Sequence, residues 1–232
     1  MQRLDGLFDD LADATPIVTL AAPIVERWEG ALTERERALI ERAIDKRKRE
    51  FATGRTLARA ALGELGLHAV ELLNGPDRAP IWPDGIAGSI SHCDRVAVVA
   101  VTRASHGTLG VDVEHRGELK RELWKTVFLP REIEALDAAF DAPMRGRMAL
   151  VLFSAKEALY KAQYPRTTTF MGFHELHVTI EAEGDARGRL VCTFQNDVGT
   201  DTRFAKSTVA HGRYVLDAAP GAEVVTSVFI PR

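Results

Sequence analysis

Only two cysteines, Cys93 and Cys192, occur in the 232 residues, far apart and with no second thiol near either. That excludes a disulfide framework and a thiolate zinc site, and it fits a reducing compartment. Long hydrophobic runs are missing as well, since no apolar stretch approaches the roughly 18 residues of a membrane span. The N-terminal segment carries Asp5, Asp9 and Asp10 where a secretory signal would carry a basic region and an apolar one, so no signal peptide is visible. Neither sign of charge dominates: 30 Lys and Arg against 33 Asp and Glu leave a net charge of −3, which gives no general nucleic-acid footprint. Low-complexity tracts and long flexible linkers are absent too. A cytoplasmic, monomeric protein with neither a nucleic-acid nor a membrane partner is expected. What is present is ordinary globular composition, 46% hydrophobic and 27% charged, enough to bury one large core or two small ones without staples.

After an irregular or strand-like start broken by Pro16 and Pro23, Thr33 and Glu36 have capping-box spacing, and helical periodicity predicts one helix from there to about Leu65, before Gly66. Its stripe Ile40, Ile44, Arg47, Phe51, Arg55, Ala58, Leu62 is apolar except for two arginines. These project from one face about 12 Å apart, within reach of a shared anion. The Pro/Gly-rich stretch 72–85 reads as an ordered loop. Two β-rich runs, 85–92 and 95–102, flank Cys93-Asp94 as a hairpin, and Leu109 to Glu114 alternates strictly. Pro130 opens a short helix over 131–140, Pro143 breaks it, and a second helix runs to about Gln163. Strands follow at 176–182, 189–194, 214–216 and 223–229. Two similar α+β halves meeting near Gly107 are expected, 1–107 and 108–232.

Chemistry concentrates in two stretches. In Phe153-Ser-Ala-Lys-Glu-Ala-Leu-Tyr-Lys161, helical spacing puts Leu150, Phe153, Glu157, Tyr160 and Tyr164 on one stripe, so a carboxylate occupies a position the pattern assigns to the core. Such a group is costly to bury unless it is paired or bound to a metal. Either Glu157 pairs with Lys161, one turn on, or it is a ligand in a site that opens onto the core. In Gly110-Val-Asp-Val-Glu114, Asp112 and Glu114 lie on the same strand face about 6.6–7 Å apart, close enough to share one hard cation. Three carboxylates without His or Cys partners favour Mg²⁺, and Mg²⁺ implies a phosphate. Arg47, Arg55, Arg78, Lys156 and Lys161 are candidates for its other contacts. Ser91-His92 at a strand end adds a hydroxyl and an imidazole. His174 and His177 lack zinc-motif spacing.

Taken together, the two stretches resemble the signature motifs of the 4'-phosphopantetheinyl transferases. Lys48-Arg-Glu-Phe-Ala-Thr-Gly-Arg55, Trp82-Pro-Asp-Gly85 and Gly88-Ser-Ile-Ser-His-Cys93 look like further motifs of the branch typified by the enterobactin synthase component D proteins. The resemblance covers roughly residues 33–182. It implies a pseudo-symmetric pair of α+β halves with coenzyme A in the cleft between them. The implied activity is transfer of the 4'-phosphopantetheine arm of coenzyme A to a serine of an apo acyl, aryl or peptidyl carrier protein, releasing adenosine 3',5'-bisphosphate. Asp112, Glu114 and Glu157 would hold Mg²⁺, or Mn²⁺, against the pyrophosphate. Lys161 would contact the α-phosphate, with Lys156 supporting the same region and Ser91 and His92 on nucleotide phosphates. Arg47 and Arg55, joined by Arg78, match the positions that grip the 3'-phosphate. Glu157, directly or through a metal-bound water, is the candidate for accepting the serine proton. Siderophore, polyketide and fatty-acid systems all remain open.

Lys120-Arg-Glu-Leu-Trp-Lys-Thr-Val-Phe128 mixes apolar and basic groups as a carrier-protein surface would, and reads equally as an amphipathic helix packed on the core. Two other functions compete. A metal-dependent nuclease would use Asp112 with the acid-x-Lys spacing of Glu118-Leu119-Lys120, and a non-catalytic carrier-binding module would keep the fold without the acids and lysines.

Overall fold

The strand Val96–Arg103 (β4) is an almost unbroken β-branched and alanine run, and both of its faces are buried. One face, Ala97, Val99 and Val101, packs against Leu57, Ala58, Ala61 and Leu62 of helix Asp45–Glu64 (α2). The other, Val96, Val98 and Ala100, packs against Leu109, Val111 and Val113 of strand Gly107–Glu114 (β5). One strand thus forms the hinge between two cores. The computed structural model describes residues 1–11, 16–115 and 119–232; the acid-x-Lys spacing through Glu118 lies outside them.

Around β4 the first sheet is antiparallel, in the order Gln2–Arg3 (β1), Val18–Pro23 (β2), β4, Ile86–His92 (β3). The second is also antiparallel, β5 followed by Ala222–Pro231 (β9), Val209–Ala219 (β8), Arg187–Phe194 (β7) and Leu176–Ala182 (β6). The changeover falls between Arg103 and Gly107. Helices Glu34–Ala38 (α1), Trp124–Val127 (α3), Pro130–Ala139 (α4) and Ala142–Thr167 (α5) complete the α+β architecture.

The single helix expected over 33–65 is two. Thr33 and Glu36 do form a capping box, but α1 stops at Ala38 and α2 begins after Ile44. The cause is Glu36, fully buried and bridged by Arg59 at 2.8 and 2.9 Å. In one continuous helix those residues, 23 apart, would be separated by about 35 Å, so the chain must fold back to let them meet. Ile44 is left exposed as a consequence. The second helix, α5, starts at Ala142 with Asp141 as its side-chain cap and Pro143 in its first turn, where a missing N–H costs little. It continues through Pro165 to Thr167, past the expected end at Gln163.

Candidate active site

Helix α5 lies directly on β5 because Gly110 has no side chain: a Cβ there would fall 1.9 Å from the carbonyl oxygen of Ala158. Thr108 fastens the same contact by donating to the Ala162 carbonyl at 2.7 Å. The face of β5 that alternation assigned to Gly110, Asp112 and Glu114 is therefore roofed by a helix, and Asp112 is only 4% exposed. On the other side β3 closes in, where the Ser89 and Ser91 hydroxyls accept from the backbone N–H groups of Val111 and Val113.

Asp112 is the best-connected group in this layer. Its Oδ1 accepts from Ser91 at 2.8 Å and from Lys161 Nζ at 2.5 Å, and its Oδ2 accepts from Ser154 at 2.8 Å. Lys161 also donates to Ser91 Oγ at 2.9 Å. The pair open in the sequence is thus resolved in favour of Asp112: Lys161 pairs across to β5 and not along the helix to Glu157. The stripe Leu150, Phe153, Glu157, Tyr160, Tyr164 is likewise not the helix's core face. Val151, Ala155, Ala158 and Ala162 are fully buried, whereas Phe153, Glu157, Tyr160 and Tyr164 are half-buried along its edge. Glu157 is not stranded in a core.

Electrostatically the three acids act on one another. Burial, then Asp112 and Glu157, push the Glu114 carboxyl up to about 7, offset in part by Lys161. Burial chiefly, with a contribution from Asp112, raises Glu157 as well, again against Lys161. Among the described residues no three His, Cys, Asp or Glu side chains are already gathered in metal-holding geometry. The donor chemistry nonetheless suits a hard divalent cation, because three oxygen donors repel one another and a cation would relieve that repulsion.

Lys161 opens onto a cleft of about 620 Å³ between β3 and the C-terminal part of α5, lined by the loop 75–82, by Gly88, Ser89 and Ile90 of β3, and by Tyr160, Lys161, Tyr164, Pro165 and Thr168. Arg78, in a left-handed conformation (φ 67°) and exposed, is on its wall. Trp82 lies flat on Gly88, where a Cβ would come within 2.5 Å of the ring. Tyr160 belongs both to this cleft and to a neighbouring pocket of about 190 Å³ lined by Glu157, Phe170, Met171, Gly172, Phe173 and Leu176. Tyr160 stacks on Tyr164 and meets Phe170 edge-on, so an aromatic wall joins the two spaces.

The other expected phosphate contacts are arranged differently. Arg55 is 4% exposed, with Nε donating to the Leu72 carbonyl at 2.8 Å and Nη2 to Asn74 Oδ1. Burial lowers its pKa to about 10, and Phe51 supports its plane. It holds the base of the loop that walls the cleft. Arg47 stays half in solvent and meets His92 Nε2, with Glu50 against both. Burial lowers the His92 pKa, so the ring is neutral and accepts from Arg47. Neither Arg47 nor Arg55 lines the cleft. Ser91, nearly buried, spends its hydroxyl on Asp112, Lys161 and Val113. Lys156 departs furthest from expectation. Its ammonium is fully buried, donating to Glu132 Oε2 at 2.7 Å and to the carbonyls of Val127 and Phe173 at 3.0 and 2.9 Å, which leaves no donor for a phosphate. In the basic-apolar stretch, Trp124 is buried with its indole N–H on the Leu119 carbonyl, while Leu123 is exposed.

Sequence reasoning passed over Ser154, Thr226, Tyr160 and Tyr164 as site groups. The tyrosines were on the stripe, and reading that stripe as a core concealed them. A serine in a helix and a threonine in a strand carry no signal of their own.

Two family models and several known proteins match this chain. The family model described as the 4'-phosphopantetheinyl transferase N-terminal domain matches residues 35–102, and that of the 4'-phosphopantetheinyl transferase superfamily matches 108–219. The chain is 38% identical to the 4'-phosphopantetheinyl transferase Npt of Nocardia iowensis over 164 residues, 70% of this chain and 72% of that protein. It is 35% identical to the 4'-phosphopantetheinyl transferase PptT of Mycobacterium tuberculosis over 185 residues, covering 78% and 80% of the two chains. Enterobactin synthase component D of Escherichia coli is 38% identical over 133 residues, covering 56% of this chain and 61% of its own.

Proposed function

The chain belongs to the 4'-phosphopantetheinyl transferase superfamily, and from that premise we propose that it transfers the 4'-phosphopantetheine arm of coenzyme A to a serine hydroxyl of an apo carrier protein. The observation that carries this reading is the electrostatic coupling of Asp112, Glu114 and Glu157 to Lys161, with Lys161 on the cleft and Glu157 on the neighbouring pocket. A ligand with a charged phosphate end and a long, weakly polar arm needs that sequence of surroundings. Arg78 and Lys161 supply positive charge along the cleft, and the Tyr160 wall leads from it to the pocket beside Glu157. Two free buried thiols suit a reducing cytoplasm, where we take the chain to act as a monomer.

Asp112, Glu114 and Glu157 would hold a divalent cation, which we take to be Mg²⁺. Bound there, the ion would neutralise and orient the pyrophosphate. The chain's own groups do the rest. Lys161 offers its ammonium to the phosphate oxygens, contributing charge where it accumulates in the transition state. Glu157 takes the proton from the attacking serine. Arg55 orients the cleft loop, Arg78 contributes positive charge on the cleft wall, and half-exposed Arg47, beside His92, is the candidate contact for the nucleotide's 3'-phosphate. Lys156 and Glu132 fix α5 against α4 and β6, holding Glu157 in place from behind. Exposed Leu123, between Lys120 and Lys125, offers an acidic carrier protein an apolar contact in a basic frame. The test is direct: incubate the protein with coenzyme A, Mg²⁺ and an apo carrier protein, and follow the carrier's intact mass. Gain of one phosphopantetheine on the carrier serine supports the assignment, and an unmodified carrier across acyl, aryl and peptidyl types refutes it.

A further inference from the structure

Two buried hydroxyls stand behind Asp112, on the side away from the cleft. Ser154 on α5 and Thr226 on β9 are both 0% exposed, and their oxygens lie 2.8 Å apart. Thr226 is the residue directly opposite Asp112 in the β5–β9 pairing. Ser154 comes one helical turn before Glu157 and two before Lys161, so a single helix face brings all three to the same strand. An ionised carboxylate only accepts hydrogen bonds, so Ser154 donates to Asp112 Oδ2 and has no proton left for Thr226. Thr226 therefore donates to Ser154, and the chain runs one way, Thr226 to Ser154 to Asp112, each bond strengthening the next.

We propose that Ser154 and Thr226 are positioning residues that aim Asp112, tying Oδ2 to the protein interior so that Oδ1 alone is offered to Lys161 and to a bound cation. This rests on the transferase reading, in which Asp112 is a metal ligand. Two features set the arrangement apart from simple polar satisfaction. The two carboxylate oxygens are sorted by environment: among the described residues Oδ2 accepts from the fully buried Ser154 alone, while Oδ1 accepts from Ser91 and from Lys161, which lines the cleft. Thr226 also lies beyond residue 219, the end of the superfamily match, so the C-terminal strand contributes a group to the site's orientation. Without the relay the carboxylate can rotate about its Cβ–Cγ bond and spend either oxygen on Lys161. Groups that orient ligands in this way typically control metal affinity by about 10–100-fold.

The test uses the whole protein, and its readout does not depend on turnover. Binding of Mn²⁺ in the presence of coenzyme A, with no carrier protein, is measured from free Mn²⁺ by electron paramagnetic resonance. The proteins compared are wild type, Thr226→Val, Thr226→Ser, Ser154→Ala and Asp112→Ala. We expect Thr226→Val and Ser154→Ala to bind Mn²⁺ about tenfold or more weakly, Thr226→Ser to match wild type, and the dissociation constant for coenzyme A alone to stay within about twofold in the Thr226 and Ser154 variants. Thr226→Val is nearly isosteric, so it carries the test if Ser154→Ala folds poorly. Unchanged Mn²⁺ affinity in Thr226→Val, or weakening in Thr226→Ser equal to that in Thr226→Val, overturns the relay. If Asp112→Ala binds Mn²⁺ as tightly as wild type, the placement of the metal on Asp112 fails first, a result separate from failure of the relay alone.

Discussion

Lys161 Nζ lies 2.5 Å from Asp112 Oδ1, so the carboxylate at the heart of the site has a resident cation supplied by α5, the helix packed on its strand. The lysine is only partly buried and the aspartate almost wholly so, which makes the aspartate the partner that suffers if the pair is broken. In Lys161→Met the metal-free protein should lose about 1–3 kcal/mol, the cost of leaving a buried acceptor without its charged partner. A divalent cation should then raise the variant's Tm by more than it raises that of wild type, because it fills a vacated role. Thermal denaturation in EDTA and in Mg²⁺ checks this. Equal metal-induced shifts in the two proteins would count against a shared position.

Lys156 and Glu132 form a pair with both side chains fully buried, and Glu132 additionally accepts from the N–H groups of Leu129 and Val178. Removing one member strands the other charge in an apolar interior, at a cost of about 3–5 kcal/mol. Lys156→Met should therefore unfold at markedly lower urea, and the double substitution Lys156→Met with Glu132→Leu should recover part of the loss. A lysine serving a phosphate would give the reverse pattern: near-normal urea stability in Lys156→Met and a large rise in KM for coenzyme A.

Arg47 and Arg55, expected to grip one phosphate together, now predict different phenotypes. Arg55 ties the cleft loop through Leu72 and Asn74, so Arg55→Ala should raise KM for coenzyme A and for its 3'-dephospho form by similar factors. Arg47 is half-exposed beside His92, and Arg47→Ala should raise KM for coenzyme A about tenfold with little effect on the dephospho form, the loss expected for one charge-assisted contact. Steady-state kinetics with both substrates separates the two.

Glu114 gives a pH prediction for the metal-free protein. Its folded pKa, pushed to about 7 by burial and then by Asp112 and Glu157, exceeds the usual 4.5, so the folded state holds this proton more tightly than the unfolded chain does. The stability from that proton is complete below about 4.5 and is lost as pH rises through about 7. Glu114→Gln, which cannot ionise, should gain Tm relative to wild type in EDTA at about pH 8 and not at about pH 4. The same Tm difference at both values would remove Glu114 from the repulsive cluster.

Much of the architecture was legible because it rests on local periodicity. The strict alternation of Leu109 to Glu114, the β-branched run of β4 and the Thr33–Glu36 box are patterns within a few residues of one another. What escaped depends on pairs remote in sequence. Glu36 folds α1 back by meeting Arg59, and nothing near either residue announces it. The stripe through Glu157 read as core because half-buried aromatics lining a cleft have the same spacing as buried ones. Trp124 looked equally suited to a partner and to the core, and its burial settles it as core. Among the candidate site residues, Asp112, Glu114 and Glu157 were gathered by chemistry, as three carboxylates suited to one hard cation, and Lys161 as a candidate phosphate contact. Lys156 was drawn in by adjacency and by the family resemblance, and successive helix residues point about 100° apart. Thr226 was invisible, since its place opposite Asp112 is a fact of strand register.

Glu157 is the residue on which the transfer reading turns. The most direct measurement is the rate at which an apo carrier protein gains phosphopantetheine mass from coenzyme A and Mg²⁺, compared between wild type and Glu157→Gln at matched folded fraction. Stoichiometric modification of the carrier serine is expected of wild type, and a loss of at least about a thousandfold of Glu157→Gln, whose Tm and affinity for coenzyme A stay near those of wild type. Full-rate transfer by the variant would remove Glu157 from the chemistry, and no transfer by wild type would contradict the account as a whole.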